Sequence, residues 1–72
     1  MIFHSFKDLV VFLEKKMYVE YGEAFTMAWE LVVSKEILWD SESKGYIWPS
    51  NLTDEMLYDV LDIGLEKEML PF

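Results

Sequence analysis

The sequence predicts an all-α domain of three helices, over about residues 6–21, 23–39 and 54–68, with one turn-rich loop between the second and the third. Three observations support this. Apolar residues recur at helical spacing in three stretches, a capping residue or a breaker stands at their boundaries, and only the segment 40–52 loses the periodicity.

The first helix starts after Ser5, because Ser5-Phe6-Lys7-Asp8 has the spacing of a capping box, in which hydroxyl and carboxylate satisfy the free N–H groups of the first turn. Phe6, Leu9, Val10, Leu13 and Met17 then form one stripe and are the expected core face. Val11, Phe12, Tyr18 and Val19 lie off that stripe and make a second apolar surface. Gly22 is the expected stop.

In the second stretch Glu23, Thr26, Glu30 and Ser34 line up as one narrow polar stripe, and nearly all the rest of the cylinder is apolar. That pattern suits a central helix reaching to about Trp39. Asp40-Ser41-Glu42-Ser43-Lys44-Gly45 is turn-rich, and Tyr46-Ile47-Trp48 before Pro49 favours a short extended piece. Thr53 then caps the third helix, with Leu52 and Leu57 spaced as a hydrophobic staple and Asp54 and Glu55 complementing the positive helix end. Within it, Gly64 marks a close contact or a weak point, and Pro71 ends it.

Seventy-two residues form a single domain, 1–72, and the composition, 53% hydrophobic and 17% aromatic, is that of a chain that folds. With no cysteine and a single histidine, neither disulfides nor a histidine/cysteine metal site can staple so small a core. Packing or self-association has to supply the stability. Twelve aromatic side chains exceed what a thin three-helix core encloses, since each carries about 150 to 250 Å², so some are expected at an interface.

The net charge of −8 comes from fourteen acids and six lysines, without any arginine. Arginine is the usual bidentate reader of phosphate and guanine, so direct nucleic-acid binding and docking on anionic membranes are not expected. The segment Met1-Ile2-Phe3-His4-Ser5 has neither the basic region nor the apolar run of a secretory signal, and a cytoplasmic location is expected.

No group of residues points to catalysis, and the chain is not expected to be an enzyme. A nucleophilic triad would need His4, which lies close to a chain end, and three isolated glycines build no phosphate loop. No cofactor and no metal are expected. The stretch Asp40 to Asn51 resembles an EF-hand calcium loop, with Asp40, Gly45 and Ile47 where that family has its first acid, its turn glycine and its hydrophobic anchor. Lys44 and Asn51 depart from it, one at an oxygen-ligand position and the other in place of the bidentate glutamate, so the resemblance implies no bound calcium. Asp40-Ser41 is also similar to the attachment serine of acyl carrier proteins, but Glu42-Ser43-Lys44-Gly45 departs from the apolar helix start that follows there. Asn51-Leu52-Thr53 fits a glycosylation sequon, for which the capping role of Thr53 is the better account.

What remains is recognition of another protein. Glu55, Asp59, Asp62 and Glu66 fall on one stripe of the third helix, and from Thr53 onward six acids face the single Lys67. Such a stripe is most simply a solvated face, but acids around aromatic anchors also suit a partner with a basic or neutral surface. Tyr58 on that helix, with Tyr46 and Trp48 from the loop, complete the expected partner-binding set. The function expected is a small acidic protein that binds and inhibits or neutralises a larger partner, of the kind encoded by phages, plasmids and toxin-immunity loci. Two alternatives are a homodimeric assembly module and a nucleic-acid mimic that occupies a DNA-binding protein.

Overall fold

A computed structural model describes the chain over residues 1–68, with side chains as far as Asp62. The elements in order are β1 (Ile2–Phe3), α1 (Phe6–Met17), α2 (Tyr21–Val33), β2 (Leu38–Asp40), β3 (Gly45–Ile47) and α3 (Asp54–Glu68). The three strands form one antiparallel sheet in the order β1-β3-β2. The protein is therefore a small α+β fold, and the expectation of an all-α domain is corrected.

The reason lies at the end of α2. The helix stops at Val33, six residues before the expected end, because Lys35 adopts the left-handed conformation at φ 65°. There the Lys35 N–H bonds the Val32 carbonyl at 3.1 Å and the Ile37 N–H bonds the Leu31 carbonyl at 3.1 Å, which satisfies the free carbonyls of the last turn. Glycine or asparagine is the usual signal for such a stop, and a lysine carries no such message. Released from the helix, Leu38-Trp39-Asp40 pairs with Gly45-Tyr46-Ile47 around a four-residue turn, with Lys44 left-handed at φ 55°. The extended piece expected at residues 46–48 is β3, the centre of the sheet.

Helix α1 begins as expected, the Asp8 N–H donating to Ser5 Oγ at 3.1 Å. It ends at Met17 instead of residue 21, because Tyr18 is left-handed at φ 55° and its N–H bonds the Glu14 carbonyl. Gly22 lies inside the first turn of α2, where the N–H groups need no intrahelical acceptor and a glycine costs little. Helix α3 has the expected bounds, with Met56 N–H donating to Thr53 Oγ1 at 3.3 Å. The side chains beyond Asp62, those of Glu66 and of the residues beside Gly64 among them, and Pro71 lie outside the described residues.

Leu9, Val10 and Leu13 of α1 meet Ala24, Met27, Ala28 and Leu31 of α2 in the core, closed by Ile37, Leu52 and Leu57. Helix α2 packs on α1 along one flank and on α3 along another. The sheet covers the Phe12 part of the second apolar surface, Phe12 lying 5.0 Å from Phe3 and 5.1 Å from Trp48 between ring centroids, whereas Tyr18 is exposed.

Candidate functional site

Two neighbouring features of α2 bring together the groups best suited to recognition. Its buried residues Ala24, Met27, Ala28 and Leu31 occupy one arc, and its polar stripe occupies a second arc, toward α3. Between them on the far side, Tyr21, Phe25, Trp29 and Val33 recur every fourth residue. At 100° per residue this spacing builds a ridge that turns only slowly around the helix. Tyr21 is 48% exposed, Phe25 44%, Trp29 56% and Val33 57%.

The ridge continues onto the sheet through edge-to-face rings. Phe25 meets Phe6 at 5.2 Å, Phe6 meets Tyr46 at 6.2 Å, and Tyr46 meets Trp39 at 5.0 Å. Trp39, at the end of this chain of rings, is half exposed. The other face of the sheet has an aliphatic row, Ile2, Ile47 and Leu38, fixed side by side by the strand register and all exposed.

The second feature is a cleft of about 280 Å³ between α2 and α3. Leu31, Leu52, Met56 and Val60 supply apolar surface, and the acidic residues Glu30, Glu36 and Asp59 also line it. Glu30 has an interaction of its own. Glu36 and Asp59 are exposed.

Of the residues expected to bind a partner, Glu55, Asp59, Asp62 and Tyr58 are exposed on α3, and the Glu66 side chain lies outside the described residues. Tyr46 and Trp48 are half-buried, one against Phe6 and Trp39, the other against Phe3 and Phe12. They serve the sheet's packing on α1, whereas Tyr58 stands on a helix packed against α2. The ridge was legible as a four-residue repeat but hidden in a helix apolar nearly all round. Ser34 to Ile37, beside the cleft, fell inside the helix that the sequence prolongs to Trp39.

The segment resembling a calcium loop is a hairpin turn. A strand, not a helix, leads into Asp40, whose carboxylate accepts from the Ser43 hydroxyl at 2.6 Å and from the Glu42 N–H at 3.2 Å. Those bonds hold the Asp40 pKa below its ordinary value, the Ser43 hydroxyl being the larger cause. Its oxygens close the turn. Gly45, read from sequence as the turn glycine, has ordinary backbone geometry, and the left-handed residue is its neighbour Lys44. His4 lies 3.2 Å through Nδ1 from the Lys44 carbonyl, an acceptor only, so this bond needs the proton on Nδ1. Among the described residues no three His, Asp or Glu side chains gather as a metal site, and no helix is long and apolar enough to cross a membrane. The chain matches no protein-family model, no curated protein and no solved structure.

Proposed function

We propose that this protein acts by binding a larger protein and thereby blocking it, through contact and not catalysis, in the cytoplasm. The observation that carries this reading is the ridge Tyr21-Phe25-Trp29-Val33 with Trp39 beside it. Large rings left half exposed in a row are the residue types that supply most binding energy at protein interfaces. A contiguous apolar surface is also unfavourable for an isolated monomer to keep in water. The net charge of −8 supplies long-range attraction toward a basic partner and repulsion between copies of this chain. The exposed acids of α3, Glu55, Asp59 and Asp62, carry part of that charge at the surface.

A homodimer is the second reading, favoured by the lack of any charged side chain among the ridge residues themselves, so that two ridges could pair without burying a charge. One pair of measurements separates the two. Sedimentation at micromolar concentration gives a monomer under the first reading and a dimer under the second. Affinity capture with the wild-type chain and with a Phe25→Ser/Trp29→Ser variant, matched for helical circular dichroism, retains a protein only on the wild type. A monomer whose capture profile is unchanged by the two substitutions removes the ridge as the binding surface and the proposed function with it.

A further inference from the structure

We infer that the cleft between α2 and α3 receives an arginine side chain from the protein partner, an inference that rests on the proposed binding role and specifies its chemistry. Size is the first argument. At about 280 Å³ the cleft lies at the lower edge of the usual range for ligand pockets, about 300 to 1,000 Å³, and has room for one long side chain.

Lining is the second argument. Leu31, Leu52, Met56 and Val60 offer apolar surface to a methylene stem, while the exposed acids Glu36 and Asp59, which also line the cleft, bring negative charge to it. No lysine lines the cleft among the described residues. Long basic side chains bury their stems along apolar surface and keep their charged heads near water, which an open cleft with acids at its surface permits. A wholly apolar occupant would bring no countercharge to those carboxylates, and an acidic one would be repelled.

Arginine fits better than lysine because its guanidinium is more weakly hydrated, so partial burial costs less. Its planar fork can also donate to two acceptors at once, whereas lysine presents a compact, strongly hydrated ammonium. The excess of acids over the whole chain raises the local concentration of such a cation before contact.

The test is an NMR titration of methyl-labelled protein with the peptide acetyl-Ala-Arg-Ala-amide, alongside analogues carrying citrulline, norleucine or lysine at the centre. The arginine peptide is expected to shift the methyl signals of Leu31, Met56 and Val60 saturably at millimolar concentration. The citrulline and norleucine peptides should bind at least about fivefold more weakly, the scale of one or two exposed ion pairs. Glu36→Gln/Asp59→Asn should weaken the arginine peptide by a similar factor. Asp8→Asn/Glu42→Gln, which removes two charges elsewhere, should weaken it by clearly less than Glu36→Gln/Asp59→Asn does.

Equal binding by citrulline or norleucine, equal binding by lysine, an unchanged affinity in Glu36→Gln/Asp59→Asn, or no methyl shift at about 10 mM peptide would each overturn the assignment. The Phe25→Ser/Trp29→Ser variant should titrate like wild type. Lost peptide binding with retained protein capture therefore removes only the cleft assignment, and intact peptide binding without capture removes the broader reading.

Discussion

The Ile2 side chain lies over Gly45, so that a Cβ at residue 45 would overlap Ile2 Cγ2 and stand 3.0 Å from the Phe3 carbonyl oxygen. Glycine is required there by the close approach of β1 across the sheet, not by the turn. Gly45→Ala is expected to push β1 outward and to destabilise the fold by about 1 to 3 kcal/mol. Ile2→Ala should recover part of that loss, since it removes one of the two overlaps. Thermal melts of the two single variants and the double variant check this, and strict additivity would contradict the contact.

Lys35 ends α2 in a left-handed conformation that costs an L-residue with a Cβ about 1 to 2 kcal/mol. Lys35→Gly should therefore stabilise the protein by about 0.5 to 1 kcal/mol after the entropy of glycine in the unfolded chain is deducted, raising the melting temperature by several degrees. Lys35→Ala retains the Cβ and is the control. It should give no such gain.

The depressed pKa of Asp40 sets a direction for pH dependence. The unfolded chain titrates this carboxyl near the ordinary 3.8 and the folded chain lower, so the turn's contribution is complete above that value and is lost as pH falls through the folded value. Carbon-13 titration of the Asp40 carboxyl should give a midpoint below 3.8, and Ser43→Ala should move it back toward 3.8. A midpoint unaffected by Ser43→Ala would remove the hydroxyl as the main cause.

On α2, Met27 and Trp29 are two residues apart and differ in consequence. Met27 is fully buried, and Met27→Ala should cost about 2 to 5 kcal/mol. Trp29 is half exposed, and Trp29→Ala should change stability by about 1 kcal/mol or less while abolishing capture of the partner. Denaturant melts beside the capture assay check both halves. A large stability loss at Trp29 would mark the ring as core.

The starts of α1 and α3 were legible because the side chains that make them are specific: Ser5 and Thr53 each accept the N–H three residues on, whereas α2 starts at Tyr21 behind Glu20, which makes no side-chain cap. The ends of α1 and α2 were not legible, because the left-handed residues there are Tyr18 and Lys35, types with no preference for that conformation. The missed end at Val33 hid the sheet, since Ile37-Leu38-Trp39 continues the apolar pattern of a helix as readily as it makes a three-residue strand. The surplus of rings over core volume was legible, and its placement was not. Phe12 and Trp48 are covered by a sheet that the periodicity concealed, whereas Phe25 and Trp29 stand on the helix whose apolar breadth looked like burial on every side.

The register of the sheet places the first strand beside one made much later in synthesis, Ile2 opposite Ile47. On the ribosome α1 and α2 can associate while Phe3 and Phe12 wait uncovered, because their lid arrives only with the hairpin. Pairing of β1 with β3 is thus a closing event of high loop entropy, and until residue 48 has been made the flank that carries Phe12 stays open to other chains.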